Sequence, residues 1–444
     1  MEKLEIVEIN FSSQRATHYH INGGILLMIV VLVAMILANS PWGAAYNALW
    51  ESKVHFQIGT FNLFSHAGHE MTLMTFINDA LMAVFFFSVG LEIKREVLIG
   101  ELSSFRKALL PIVAACGGML VPVLIYYFMT AGTEAQSGLA IPMATDIAFS
   151  LGVLSLFGKR VPLALTVFLT AFAVVDDIGG ILVIALFYSS HLDLNYLLAS
   201  AGILLILVGG NYFKVHQRWF YVFLGAILWY LFLQSGVHAT IAGVIAAFMV
   251  PATPRRKIGK YIGRIKESIT LLPAVGEGGV MLDKMQIDIL KSIESSSDRV
   301  ISPLQSLEDS LHGMVNYAIL PLFAFANAGI SLTGGDGGIE TGPITWAVMA
   351  GLVAGKFIGI YFFTWLVIRL GFAGLLKGMN WRNLTGIALL GGIGFTVSLF
   401  IANLSFGEAP ALLAQAKIGV IAGTLLAGVA AYVVLRFTLP GRET

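Results

Sequence analysis

The sequence predicts an all-α polytopic membrane protein of twelve transmembrane helices. Three observations predict it. Of 444 residues, 57% are hydrophobic and only 12% charged, against roughly 25% charged in soluble domains, and the mean hydropathy is +0.83. Apolar runs of about 20 residues, the length that crosses a hydrocarbon core, recur along the chain. Lysine and arginine gather in alternate connecting loops. A net charge of +1 gives no reason to expect nucleic acid; the partner that composition implies is the lipid bilayer. The single cysteine, Cys116, excludes an intramolecular disulfide framework.

The candidate spans lie near 21–39, 71–93, 107–130, 138–157, 161–188, 194–212, 217–233, 237–251, 313–332, 342–368, 382–404 and 411–436. The charged start MEKLEIVEINF has no signal-peptide core, so the first apolar run reads as a retained helix. The eighth span is short enough to be tilted or partly re-entrant. Between the first two, residues near 54–64 alternate around Gly59-Thr60, which suggests an outer-side β-hairpin able to mediate dimer contact. The chain thus divides into spans one to eight (1–251), a polar cytoplasmic insertion (252–312) and spans nine to twelve (313–444). The insertion holds nine of the 27 basic residues. Met281 or Leu282, Met285, Ile289 and Ile293 recur there at helical spacing, as do Leu304, Leu307 and Leu311. The run Pro254-Arg255-Arg256-Lys257 suits contact with anionic lipid.

Orientation follows from the loops. One set carries Lys94, Arg95, Arg106, Lys107, Lys159, Arg160, Lys214, Arg218, Arg255 to Lys257, Lys377 and Arg382, and Lys3, Arg15, Arg436 and Arg442 mark both termini. The opposite loops carry Glu134, Asp193, Asp336, Glu340 and Glu408, with Lys53 the one basic residue. Both termini are therefore expected on the cytoplasmic side.

The residues that point to chemistry are the ionisable ones inside spans. Asp176 and Asp177 stand side by side within the apolar run 171–188. One charge at bilayer depth costs at least ~2.5–3.5 kcal/mol, and such residues mark ion or proton pathways. Asp79, Asp146 and Lys356 are also intramembrane, with His238 near a span end. Asp79 reads as a packing contact, and His238 as a packing residue with the chemistry of a pH sensor. Pro142 and Thr145 beside Asp146 mark an unwound point in the fourth span, and Gly391-Gly392-Ile393-Gly394 marks one in the eleventh. Each interrupted span is the middle of a three-span unit, three to five and ten to twelve. The two units start on opposite sides, which makes an inverted repeat, and paired broken helices of this kind point to a transporter binding site. Asp146 is placed to offset the positive ends of the half-helices. Lys356 is placed to offset the negative ends or to pair with an aspartate. Read from the residues alone, the same anatomy also serves sodium-coupled uptake of an organic anion, or a channel. An intramembrane aspartyl protease would need a Gly-X-Gly-Asp motif, which does not occur here.

Several long motifs occur together: Ile36-Leu37-Ala38-Asn39-Ser40-Pro41, Phe87-Ser88-Val89-Gly90-Leu91-Glu92, Ala144-Thr145-Asp146-Ile147-Ala148-Phe149, Asp176-Asp177, Ser235-Gly236-Val237-His238-Ala239-Thr240, the run 320–329 and Gly392-Ile393-Gly394-Phe395-Thr396. In this order the chain resembles the NhaA family of bacterial sodium/proton antiporters over nearly its whole length. The resemblance implies crossed broken helices four and eleven, a homodimer, and an inner-membrane location. It implies electrogenic, pH-regulated export of Na+, and of Li+, against protons, with no cofactor. By position, Asp177 matches the principal Na+-binding carboxylate, with Asp176 beside it. Lys356 matches the lysine that pairs with the first aspartate and carries a proton, and Thr145 and Asp146 match the crossing. Glu92, Arg95 and Glu96, with Glu308 and His312, match a cytoplasmic cluster linked to pH activation. The chain departs from the pattern at Asp309, where familiar members have histidine, at Phe357, where a proline is expected, and in its much longer 252–305. Two neighbouring carboxylates with oxygen ligands suit a hard cation, and they titrate as a coupled pair.

Overall fold

In the computed structural model the described residues are 23–54, 57–58, 61–62, 65–66, 69–188, 193–253, 258–270, 284–330 and 341–440. The basic run Arg255–Lys257, the loop acids Asp336 and Glu340, and the terminal Lys3, Arg15 and Arg442 lie outside them.

The chain opens with α1 (Gly23–Ala38) and α2 (Gly43–Glu51), set at 109° to each other. Pro41 lies at the corner, where its ring and missing N–H prevent the helix from running on. Two short antiparallel pairs follow: β1 (Gln57–Ile58) with β2 (Phe61–Asn62), and β3 (Ser65–His66) with β4 (His69–Glu70). Then come α3 (Leu73–Ile99), α4 (Phe105–Thr130), α5 (Ile147–Ser155), α6 (Leu163–Phe187), α7 (Leu194–Tyr212), α8 (Arg218–Ser235) and α9 (Ala239–Met249). The polar insertion forms α10 (Ile258–Thr270) and α11 (Lys284–Val300), packed on each other. Next is α12, a continuous helical run over 303–328 that opens on a Ser302/Gln305 capping box. The chain closes with α13 (Pro343–Arg369), α14 (Trp381–Leu390), α15 (Phe395–Phe406) and α16 (Pro410–Thr438).

By length and composition, six described helices can cross a bilayer: α3, α4, α6, α7, α13 and α16. The number rises to nine if each bent pair is one span. The other expected spans coincide with helices of a different kind. The eighth is α9, with eleven residues. The ninth begins inside α12, whose first turns carry Glu308, Asp309 and His312. The short α9 is mostly buried by its neighbours, whereas Asp309 and His312 in the first turns of α12 are exposed.

The helices pack in two groups. In the first, α4 packs on α6 and α13, and α16 packs on α13, α14 and α15. In the second, α3 packs on α9 and α12, α8 on α7 and α9, and α1 on α12. A seam between the groups runs where α1 meets α5. Close approach at that seam depends on glycine: a Cβ on Gly152 would collide with the backbone of Gly24.

Three π-helical turns interrupt the described helices, at Ile77–Leu81, Val315–Ile319 and Gly351–Gly355. The last ends directly before Lys356. A π-turn inserts an extra residue into the helical register, so everything after it is rotated. The rotation fixes which face of α13 carries the lysine.

Candidate functional site

The site is built where the two broken spans cross. The fourth span runs as a 3-10 turn over Ile141–Met143, an extended stretch, then α5, with a 44° bend. Pro142 cannot donate within a helix, and Ala144 is extended at φ −82°, ψ 147°. The eleventh runs as α14, the turn Gly391–Gly394, then α15, with a 40° bend. The two breaks touch through backbone: the Asp146 N–H donates to the Ile393 carbonyl at 2.7 Å.

Breaking a helix frees donors at one end and acceptors at the other. Side chains at the crossing satisfy them, from the same span or from the other. Asp146 faces both helix N-termini. Its Oδ1 accepts from the Phe149 N–H at 3.0 Å, capping α5, and its Oδ2 accepts from the Thr396 N–H at 3.1 Å and the Thr396 hydroxyl at 2.7 Å, capping α15. The carbonyl ends are met by hydroxyls. Thr145 donates to the Gly391 carbonyl at 2.8 Å, and Ser150 to the Leu390 carbonyl at 2.9 Å. Ser398 returns the contact to the Ile141 carbonyl at 2.7 Å. Ser150 and Ser398 thus form a reciprocal pair. Sequence reasoning missed both, and gave Thr396 a place in a motif but no role. The available signal was position, because each serine lies four residues past a break, one helical turn into the following half-helix.

Lys356 reaches this crossing from α13. Its ammonium contacts Asp176 Oδ1 at 2.9 Å and Oδ2 at 2.7 Å, and donates to the Thr145 hydroxyl at 3.0 Å. It also lies 5.6 Å from the centre of the Phe172 ring, within cation–π range. The Lys356 and Asp176 side chains are both 0% exposed. Of the two roles open to Lys356, the structure places it on an aspartate, with Thr145 linking it to the carbonyl end of α14.

Asp177 is set differently. Among the described residues it has no hydrogen-bond partner, and it lines a polar cavity of about 290 Å3, which Asp176 does not. Thr145, Asp146 and Thr396 share that wall. Glu92, Arg95, Glu308 and His312 line the same cavity. There Arg95 pairs with Glu96 at 3.0 Å and Glu308 at 2.8 Å, and Glu96 also accepts from the Glu101 N–H at 3.0 Å. Burial pushes Glu308 above the usual carboxylate range, with Arg95 opposing. His312 lies within 3.1 Å of the Asn316 amide. His238 stands apart from this cluster. It directly precedes α9, and its ring meets Phe400 edge-on at 6.4 Å. Asp79 sits in the first π-turn, where its carbonyl accepts from the Trp229 indole at 3.1 Å.

Comparison with known proteins gives one consistent result. The family model described as Na+/H+ antiporter 1 matches residues 14–435. The chain is 80% identical to a protein of Phocaeicola vulgatus named Na(+)/H(+) antiporter NhaA, over 99% of each chain. It is 59% identical to a Bacteroides fragilis protein of the same name, over 96% of this chain and 97% of that one. A Porphyromonas gingivalis protein of that name is 44% identical over 96% of this chain and 95% of its own length.

Proposed function

The chain belongs to the Na+/H+ antiporter 1 family, and on that footing we propose that it is a secondary active transporter exporting sodium in exchange for protons at the Asp176–Asp177 pair. The observation that carries this reading is the unequal setting of the two carboxylates. Asp176 is neutralised by Lys356. Asp177 has no such partner and opens onto a polar cavity.

Sodium, as substrate, enters past Glu92 and meets the Asp177 carboxylate, whose oxygens suit a hard cation. Thr145, Asp146 and Thr396 add oxygen atoms to the same wall. A cation beside Asp177 also draws on the field of Asp176 and loosens its hold on Lys356. Protons leave as sodium binds, and reprotonation on the other side releases it. The carboxylates and the lysine form one coupled system, with no private titration for any member. Access alternates as the group α4, α5, α6 and α13–α16 rocks against the group α1, α3, α7–α9 and α12. More protons than sodium ions move per cycle, so membrane potential drives it. Lithium, another small hard cation, uses the same oxygens.

The finer architecture in this reading is twelve spans with inverted repeats at spans three to five and ten to twelve. Both termini are cytoplasmic in a bacterial inner membrane, and two copies pair through the outer-side strands. Glu92, Arg95, Glu96, Glu308 and His312 set the pH response at the cavity mouth, and His238 contributes from the start of α9.

The test is reconstitution in vesicles. Sodium, and separately lithium, should drive a pH change whose rate follows an imposed potential. Absence of sodium-dependent proton flux across a pH series sinks the exchange. Potential-independent rates remove the electrogenic part alone.

A further inference from the structure

A second cavity, about 820 Å3, lies against the other face of the broken fourth span. It sits between α4 and α6 and touches Met143 at the break and Gly179, two residues past Asp177. Its walls differ from those of the ion cavity. Leu120, Val123, Leu182 and Phe187 dominate, and polar groups gather at one end. There the Tyr188 hydroxyl donates to the Ser137 carbonyl at 2.8 Å, and the Ser405 hydroxyl donates to Tyr188 at 3.0 Å. Gln136 lines the same end. The helices meet closely where Gly179 packs on Met119 and diverge beyond it.

The space is continuous with the lipid-facing surface. Leu120 is 54% exposed, Leu182 56% and Phe187 75%, all on helices long enough to span a bilayer. The solvent at that depth is hydrocarbon. Water in an apolar space lacks the polar partners that would hold it. Side-chain oxygens are confined to the end formed by Gln136, Ser137, Tyr188 and Ser405, so the apolar length of the walls offers an ion no ligands. In size and lining the cavity matches a small-molecule site, roughly 300–1,000 Å3, apolar with a few polar groups at one place.

We propose that this cavity binds one acyl chain of a bilayer lipid, inserted between α4 and α6 with its polar end toward Gln136 and Ser137. The chain packs on Gly179 and Met143, so it braces the helix carrying the aspartate pair against the broken span. The proposal rests on the protein spanning a membrane and stands whichever cation is carried.

Cys116, the sole cysteine, lines this wall and gives a specific probe. A nitroxide on Cys116 of the full-length protein in phosphatidylcholine vesicles is read by power saturation. An acyl-filled cavity gives strong relaxation by oxygen and little by a water-soluble nickel chelate. Nickel access equal to oxygen access means a water-filled vestibule and overturns the proposal, as does shielding from both. An unlabelled variant, Val123→Trp, guards against the label displacing the lipid. Lipids brominated on the acyl chain should quench its added emission severalfold over the seven native tryptophans. Unquenched added emission overturns the site.

Discussion

The crossing of the broken helices and the charged mouth of the cavity that Asp177 lines are both built from acids, bases and hydroxyls, yet they hold charge in different ways. At the crossing, Asp146, Asp176 and Lys356 are all buried, and each meets a partner within about 3 Å. At the mouth, the Arg95 side chain is 34% exposed and Glu308 18%, and their pairing is shared with Glu96. Losing one partner of a buried pair strands a charge, whereas losing one partner at the surface hands it to water. The difference teaches where the molecule is brittle and where it can be tuned. Asp177 is the exception that sharpens the contrast, being deep like the crossing but unpaired like neither region.

The contrast can be broken most sharply at Asp177. Asp177→Asn should abolish sodium-dependent proton flux in vesicles while leaving the fold intact, since no protein hydrogen bond among the described residues is lost. Wild-type exchange in that variant removes Asp177 from the site. Next comes the buried pair. Lys356→Met should destabilise the protein by about 3–5 kcal/mol by stranding Asp176, and the double variant with Asp176→Leu should recover most of it. Thermal unfolding in detergent reads this, and equal melting of single and double variants would mean the pair is not what holds the crossing.

Asp146→Ala removes two helix caps at once, at about 0.5–2 kcal/mol each. It should therefore cost more in the same assay than Ser302→Ala, which removes one. Equal losses would mean that the caps do not add. The smallest effect belongs to the mouth. Arg95→Gln should cost less than Lys356→Met, because the Arg95 side chain is 34% exposed whereas Lys356 is fully buried, and the loss should shrink in high salt.

Glu308 gives that region a pH signature. Because burial raises it, the folded protein binds this proton more readily than the unfolded chain does. The cost of ionised Glu308 is absent below the unfolded value and complete above the folded one. Wild type should therefore lose melting temperature relative to Glu308→Gln as pH rises between the two. Parallel melting curves across that window would show that Glu308 is not strained at the mouth.

Much of the site is legible in the residues themselves. Asp176 and Asp177 announce themselves as charges in an apolar run, and Pro142 and the Gly391–Gly394 turn announce the breaks, because proline and glycine act on their own backbone. The break at Pro41 is legible in the same way, but the 109° at which α2 leaves it is not. Nor is the way twelve expected spans resolve into six long apolar helices, three bent pairs and shorter or more polar ones. Helix length and burial depend on neighbours that no single window of sequence contains. The reciprocal serines escape for the same reason, since Ser150 and Leu390 are 240 positions apart.

The sequence by itself determined the class of molecule, the two weak points in its spans, the identity of the charged residues and the family. The first three follow from local chemistry, namely hydropathy, backbone restriction and the cost of charge in lipid; the family follows from the motifs and the comparisons. The tertiary structure decided how those residues are assigned to one another. It put Lys356 on Asp176 and left Asp177 facing the cavity, though the two aspartates are adjacent and chemically identical. Successive residues on a helix point about 100° apart, so packing turned one toward α13 and the other toward the open space, and that rotation separates the carboxylate paired with Lys356 from the one that lines the cavity.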